Sequence, residues 1–166
     1  LTRKTIIGKN IYEYLIAFFE QAREGGLVIK ATKSFLEMEI PYASETILYP
    51  AFINIVNNSI YWTKESENRL VMLDYRNKMI YIEDSGTGIP VRDMDRIFDP
   101  FFSRKKEGGR GLGLYITKDN LTANGYDITF SLDEKEKKLD GACFKIILSK
   151  SDGGNEGWAG MRFQKQ

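Results

Sequence analysis

The chain of 166 residues contains no histidine and only one cysteine, Cys143. These absences exclude an internal disulfide, a zinc site built from cysteine and histidine, and a catalytic histidine supplied by this chain. Its chemistry must therefore rest on carboxylates, amides, lysines and backbone groups. A single cysteine is also typical of a reducing compartment, so we expect a cytoplasmic location.

Long apolar runs and an excess of one charge are missing as well. The most apolar stretch, residues 14–19, is too short to cross a bilayer, and the N-terminus has no signal-peptide pattern. The 24 basic and 23 acidic side chains nearly cancel, which argues against direct contact with nucleic acid or a membrane. Neither terminus has the character of a natural start or stop, which leaves a membrane-anchored parent protein open.

The apolar content is sufficient for one core. Because 42% of the residues are hydrophobic, we predict one domain over residues 1–150. Residues 151–166 are rich in glycine and polar side chains, and they are predicted to be a C-terminal tail or linker.

Hydrophobic periodicity predicts an α+β fold. Predicted helices cover about residues 11–24, Ser44 (as N-cap) to Thr63 with Pro50 inside, and 111–124. Predicted strands are 27–32, an adjacent strand 35–40 that ends at Pro41, 70–75, 79–83, 127–132 and 142–148. A long mobile loop is expected over residues 91–110, and an exposed charged hairpin over 133–140. This order favours a two-layer sandwich, with helices on one face of a mixed, mainly antiparallel sheet.

Two amides lie four residues apart on the second predicted helix, Asn54 and Asn58. They share one face of that helix, while the apolar side chains project from the other. Such a pair is either a solvated polar stripe or a set of hard oxygen ligands for Mg²⁺. The spacing alone does not separate the two interpretations.

Asp84 follows a predicted apolar strand and is itself followed by Gly86 and Gly88. An aspartate there can accept a hydrogen bond from an exocyclic amine, and glycines allow a flat base to approach the backbone. The same residues also occur in an ordinary turn that closes a strand.

A third glycine-rich segment, Gly109 to Gly113, opens the next predicted helix. Unpaired N–H groups at a helix N-terminus form an anion site, and phosphate is a natural occupant. The segment fits neither a Walker loop nor a dinucleotide fingerprint. By itself it is weak support for phosphate binding.

Taken in order, and with the aromatic block Ile97 to Phe102, these motifs resemble the histidine kinase catalytic domains of the gyrase, chaperone, kinase and mismatch-repair ATPase superfamily, which share the Bergerat fold. The resemblance covers about residues 11–149. Its four blocks are similar to the N box (Asn54–Asn58), the G1 box (Asp84–Gly88), the F box (Phe98–Phe102) and the G2 box (Gly109–Gly113).

The resemblance implies a site for ATP and Mg²⁺. Asp84 would bind the adenine amino group, Asn58 would hold Mg²⁺, and Asn54, Asn58 and Lys105 would serve catalysis. Residues 91–110 would form the ATP lid, from which Lys105 or Arg110 reaches the terminal phosphates. Phe101 and Phe102 would pack the lid or meet the phosphoacceptor domain. The full set of implied ATP-binding residues is Asn58, Tyr61, Asp84, Gly86, Gly88, Ile89, Phe98, Arg110, Gly111, Leu112, Gly113 and Leu114.

The type of reaction depends on Asn54. Hydrolytic branches of this superfamily resemble one another in carrying a glutamate there, and an amide cannot activate water as a base. The resemblance therefore implies γ-phosphoryl transfer to a histidine on another domain of a homodimeric parent, which signals to a response regulator. An ATPase or ATP-gated dimerisation module, and a non-catalytic docking module, remain alternatives. Tyr61, where relatives often have lysine, and Cys143, expected near the base pocket, depart from the family pattern.

Overall fold

The fold is organised around a five-stranded sheet. A computed structural model describes residues 1–148. The elements in chain order are β1 (Lys4–Ile7), α1 (Gly8–Phe18), α2 (Glu20–Glu24), β2 (Val28–Ala31), α3 (Lys33–Glu37), β3 (Glu39–Ala43), α4 (Glu45–Trp62), β4 (Leu70–Arg76), β5 (Met79–Asp84), α5 (Gly113–Ala123), β6 (Asp127–Phe130) and β7 (Cys143–Ile147). A short 3-10 turn (Val91–Asp93) lies in the lid segment, residues 91–110.

The strand order is β2-β4-β5-β7-β6, and only the β2–β4 pair is parallel. A separate antiparallel pair joins β1 to β3. Side chains alternate between faces because each strand has a period of two. One face carries the core of the sheet, including Leu73, Ile82 and Phe144, which are paired neighbours across β4, β5 and β7. This α+β architecture, with its mainly antiparallel sheet, confirms the predicted fold class.

Helix α4 lies in the centre of the helical layer. Its side chains Leu48, Phe52 and Ile55 are fully buried, and the ring of Phe52 meets Phe35 edge to face at a centroid distance of 6.2 Å. Pro50 lies within the helix, as predicted. Ser44 precedes the first turn, but its hydroxyl bonds to Thr46 Oγ1 rather than capping a backbone N–H.

The predicted strand over residues 35–40 is wrong. Residues 33–37 form α3, because Thr32 accepts a hydrogen bond from the Phe35 N–H and caps the helix. The strand begins only at Glu39, contains Pro41 instead of ending there, and pairs with β1, which the sequence pattern did not reveal.

The other predicted elements agree with the structure within a few residues, although the first helix is interrupted at Phe19. The predicted boundary at residue 150 and the tail over 151–166 lie outside the described residues. No helix within residues 1–148 combines the length and apolarity needed to span a bilayer.

The predicted charged hairpin, residues 133–140, is exposed at five positions and half-buried at Glu136, Lys137 and Leu139. Residues 131–141 are called the strap here, and the strap lies against polar residues of the sheet face opposite the core. Glu136 accepts hydrogen bonds from Tyr81 Oη at 2.9 Å and Lys145 Nζ at 3.0 Å. The backbone N–H of Lys138 donates to the fully buried Glu83 at 2.6 Å. The sheet is therefore covered on this face by ion pairs and hydrogen bonds.

The Glu136 contacts predict a pH-dependent stability. The Ser131 hydrogen bond, with smaller contributions from Lys145 and Tyr81, lowers the pKa of Glu136 from 4.5 to about 2. Because the folded-state pKa is lowered, this stabilisation is present above pH 4.5 and is lost as the pH falls toward 2.

We expect Glu136→Gln to lower the free energy of unfolding at pH 7 by about 1–2 kcal/mol, measured by urea denaturation. The variant should also lose part of its acid sensitivity. Glu134→Gln is the matched control, since Glu134 is an exposed strap residue, and its effect should stay below about 0.5 kcal/mol. Equal effects of the two substitutions would contradict the role assigned to Glu136.

Candidate functional site

A cavity of about 730 Å³ lies between α4, the lid segment and the N-terminus of α5. Its volume is within the range of small-molecule sites. The predicted site residues that line it are Asn54, Asn58, Gly88, Ile89, Lys105, Arg110, Gly111, Leu112, Gly113 and Leu114. Three separate motifs of the sequence thus share one hollow.

The two predicted amides of α4 both line this cavity. Asn54 Nδ2 donates to Thr117 Oγ1 at 3.1 Å, and the Thr117 hydroxyl donates to the Gly113 carbonyl at 2.8 Å. This chain of hydrogen bonds fixes the N-terminal turn of α5 against α4. Asn54 therefore has a structural contact of its own, while Asn58 is half-buried in the cavity wall.

Asp84, at the end of β5, is fully buried. Its Oδ1 accepts hydrogen bonds from the N–H groups of Gly86 at 2.9 Å and Ala142 at 3.2 Å. Its Oδ2 is also buried and has no hydrogen-bond partner among the described residues. Burial raises the pKa of Asp84, although the bonds from Gly86 and Ala142 and the nearby Ser59 hydroxyl oppose the increase; that hydroxyl donates its hydrogen bond to the Ile55 carbonyl at 3.1 Å. The site thus contains an unused acceptor next to Ala142, which lines the cavity.

The strap reaches this carboxylate through Gly141. The N–H of Gly141 donates to the Asp84 carbonyl at 2.9 Å. A Cβ on Gly141 would lie 2.1 Å from Asp84 Oδ1. Only glycine allows the strap to approach this closely, so the end of the strap helps to define the surroundings of Asp84.

The other end of the cavity is suited to an anion. The first hydrogen bond of α5 runs from the Ile116 N–H to the Leu112 carbonyl, and the earlier N–H groups lie ahead of the helical ladder. Four cationic residues also line the cavity: Arg92, Arg104, Lys105 and Arg110. Among the described residues of the wall, the one that is acidic, Asp93, accepts a hydrogen bond from Arg104 at 2.8 Å. Positive charge therefore prevails around this helix end.

Four predicted ATP-binding residues do not line the cavity: Tyr61, Asp84, Gly86 and Phe98. Phe98 packs against Phe144 and Phe130 at centroid distances of 6.4 and 6.1 Å, so it anchors the lid segment to the sheet. Gly86 lies beside the carbonyl of Trp62.

Tyr61 and Cys143, the two departures from the family pattern, do not line the cavity themselves. The Tyr61 hydroxyl bonds to the lid backbone at Lys106. Cys143 pairs with Glu83 on the sheet and is fully buried, and this burial raises the pKa of its thiol to about 12. Its chain neighbours Ala142 and Phe144 line the cavity, so the expected place of Cys143 near the base pocket stays a prediction.

The two aromatic residues of the lid have different surroundings. Phe102 lines the cavity, and the guanidinium groups of Arg96 and Arg104 lie 4.6 and 5.2 Å from its ring centroid. Phe101 has a positive φ of 66° and is 78% exposed, while its N–H donates to the Gly111 carbonyl. Phe102 thus packs the lid, and Phe101 is presented to solvent.

Sequence reasoning missed several residues of the cavity wall. The lid arginines Arg92 and Arg104 could have been selected by their charge within a predicted lid. Ala142 and Phe144 carried no comparable signal, because their importance depends on the approach of distant segments.

The fold and the cavity together define a two-layer α+β domain whose cavity has a helix terminus suited to an anion in its wall and a buried carboxylate, Asp84, behind the wall residue Ala142. A model of the histidine kinase-, DNA gyrase B- and HSP90-like ATPase family matches residues 43–152. The chain belongs to this family, which confirms the resemblance drawn from its motifs.

Curated relatives include three bacterial sensor proteins. The chain is 31% identical over 104 residues to sensor protein ChvG of Rhizobium meliloti, covering 57% of this chain and 18% of the relative. It is 32% identical over 108 residues to sensor histidine kinase WalK of Bacillus subtilis, covering 52% and 18%. It is 36% identical over 104 residues to the signal transduction histidine-protein kinase ArlS of Staphylococcus aureus, covering 58% and 22%. The chain spans about a fifth of the length of these relatives.

Solved structures have the same fold. The mycobacterial sensor histidine kinase MprB matches with a TM-score of 0.69 at 19% identity, over 89% of this chain and 97% of that chain. The catalytic domain of histidine kinase ThkA matches with a TM-score of 0.69 at 21% identity, over 90% and 97%.

The lid contact at Gly111 can be tested by a pair of glycine substitutions. Gly111 and Gly108 have nearly equal positive φ values of 71° and 70°. A Cβ on Gly111 would lie 2.4 Å from the Phe101 carbonyl carbon, whereas one on Gly108 would meet nothing within 4 Å. Both alanine variants carry the same backbone strain.

We therefore expect Gly111→Ala to displace the lid backbone and Gly108→Ala to leave it in place. The measurement is hydrogen exchange at the Phe101 amide, which donates to Gly111 in the native chain. Exchange should rise about tenfold or more in Gly111→Ala relative to Gly108→Ala, because an amide that has lost its hydrogen bond exchanges freely with solvent. Equal exchange in the two variants would refute this packing.

Proposed function

We propose that this chain is the ATP-binding catalytic domain of a sensor histidine kinase, which positions Mg-ATP for transfer of the γ-phosphoryl group to a histidine on another domain. The observation that carries the proposal is the Asp84 carboxylate, buried behind the wall residue Ala142 with an Oδ2 that has no partner among residues 1–148, together with the cationic helix terminus in the wall of the same cavity. Adenosine nucleotides have an amine at one end and phosphates at the other. Their chemistry therefore matches the buried carboxylate and the cationic helix terminus.

The base end depends on Asp84. A buried acceptor without a donor is costly, and the exocyclic amine of adenine supplies the missing hydrogen bond. Asp84 is shielded from solvent in this structure, so entry of the base has to uncover it. The bonds from Gly86 and Ala142 keep the carboxylate oriented during that step.

The phosphate end depends on α5 and the lid. N–H groups at the start of α5 donate to phosphate oxygens, and Lys105 and Arg110 contribute charge from the cavity wall. Asn58 lines the same cavity, and its amide oxygen and the phosphate oxygens are hard ligands that suit Mg²⁺. Bound Mg²⁺ would neutralise phosphate charge.

The role of Asn54 favours phosphotransfer over hydrolysis. Its amide is engaged with Thr117 and lacks a lone pair that takes a proton near neutral pH, so it cannot activate water. An incoming imidazole is a competent nucleophile and needs no such base. The domain therefore contributes position and charge stabilisation, and the nucleophile comes from outside this chain, which has no histidine.

The proposal extends to partners and location. The phosphoacceptor domain would belong to the same parent protein, the parent would be a homodimer, and a response regulator would receive the phosphoryl group. Curated relatives that are named as sensor histidine kinases support this setting. We propose a cytoplasmic location for the domain, whether or not its parent is anchored in a membrane.

Replacing Asp84 should separate binding from stability. Asp84→Asn keeps an oxygen for the two backbone donors but removes the buried charge, so we expect ATP affinity to fall about 10- to 100-fold by calorimetry. At pH 7 the variant should melt about 2–4 °C higher, because an unpaired amide costs less than an unpaired carboxylate.

The stability difference should shrink as the pH falls through the raised pKa of Asp84, since protonated Asp84 is also neutral. Asp119→Asn, an exposed change of the same charge on α5, is the control and should alter neither property. Unchanged ATP affinity in Asp84→Asn would refute the assignment of the base end.

A transfer assay tests the reaction. With radiolabelled Mg-ATP, the isolated chain should bind nucleotide but acquire no acid-labile phosphate. Addition of the histidine-bearing domain of its parent should yield acid-labile phosphate on that domain.

Two other outcomes would redirect the assignment. Steady phosphate release by the isolated chain, lost in Asp84→Asn, would support an ATPase. Absence of magnesium-dependent nucleotide binding would support a docking module that kept the fold.

A further inference from the structure

Tyr61, in the last turn of α4, holds the lid segment directly. The backbone N–H of Lys106 donates to the Tyr61 hydroxyl at 2.8 Å. The contact links the end of α4 to the middle of the lid, 45 positions further along the chain. Because the donor is a backbone group, the bond fixes the path of the lid and not merely one of its side chains.

The ring of Tyr61 has a second contact with the lid. The ammonium of Lys105 lies 5.1 Å from the ring centroid, and that of Lys64 lies 4.8 Å from it. Both distances are within the range of cation–π attraction. The ring itself is supported edge to face by Trp62 at 4.9 Å, and Trp62 lines the cavity. The Tyr61 ring therefore has a fixed place from which it orients Lys105.

Among residues 1–148, no acidic group acts on the charge of Lys105. Lys105 lines the cavity, and burial together with the charge of Lys64 lowers the pKa of its ammonium. Two cations near one ring repel each other, and an anion placed between the cavity wall and the lid relieves this repulsion. The phosphate chain of a nucleotide is such an anion.

We propose that Tyr61 is a positioning residue that latches the lid onto α4 and holds the Lys105 ammonium at the phosphate end of the bound nucleotide. This inference rests on the proposed ATP site. The hydroxyl fixes the lid backbone, and the ring orients the lysine. A lysine at this position would supply neither contact and would add a third cation beside Lys64 and Lys105.

The two contacts can be removed separately. Tyr61→Phe keeps the ring and removes only the acceptor of the Lys106 N–H. We expect hydrogen exchange at the Lys106 amide, measured without nucleotide, to rise roughly two- to tenfold, as the loss of one hydrogen bond allows. Tyr61→Leu also removes the ring and should raise this exchange at least as much.

Nucleotide affinity gives a second readout that a purely structural role would not change. In Tyr61→Phe the dissociation constant for ATP should increase roughly two- to tenfold, because the lid is no longer held in place before binding. Adenosine, which has no phosphates, should bind with unchanged affinity. Tyr61→Leu should weaken ATP binding further and still spare adenosine. Tyr42→Phe, at an exposed tyrosine of β3, is the matched control for loss of a hydroxyl.

Two results would refute the latch, and a third would refute the proposed function. Unchanged exchange at the Lys106 amide in Tyr61→Phe would refute the latch. An equal loss of affinity for ATP and adenosine would refute it as well, because it indicates a general change in the fold. Failure of the unmodified chain to bind either ligand would instead refute the proposed function. The exchange comparison, made without nucleotide, still decides whether Tyr61 holds the lid.

Discussion

The burial of one carboxylate, Asp84, is the constraint on which the cavity depends. An ionised group removed from water is tolerated only when hydrogen bonds replace its hydration. The N–H groups of Gly86 and Ala142 do this for one oxygen, and they join the end of β5 to the start of β7. Gly141 must remain a glycine for the strap to come this close. The second oxygen has no donor within residues 1–148, so this part of the domain carries an electrostatic cost that a ligand with a suitable amine can recover.

Elements whose pattern is set locally could be predicted from the sequence, and those set by distant contacts could not. The β4–β5 hairpin and helix α4 carry complete patterns over their length, and the predictions match. The apolar residues around Phe35 fit the period of a helix as well as that of a strand. The helix forms there because of the Thr32 cap and the packing of Phe35 against Phe52. Strand β1 has only four residues and one buried side chain, too little for a recognisable alternation, and it depends on pairing with β3.

The order of the motifs located the cavity, but individual contacts depended on tertiary structure. Helical spacing was sufficient to place Asn54 and Asn58 on one face toward the cavity. The partner of Asn54 is Thr117, 63 positions away, and no local pattern indicates such a pairing. Tyr61 stood out in the sequence as an implied ATP-binding residue that departs from the family pattern. Its contact with Lys106 becomes visible only when the lid is placed beside α4.

The strap has a consequence for how the domain behaves beside its neighbours. On the sheet face opposite the core, the strap takes part in ion pairs such as Glu136 with Lys145 and Asp74 with Lys138. A surface of this kind keeps its hydration and offers little that adheres to another protein. If the domain rotates relative to a neighbouring domain, the strap-covered face gains or loses little hydrophobic contact. The range of that rotation is then set by the connecting chain and by the other faces of the domain.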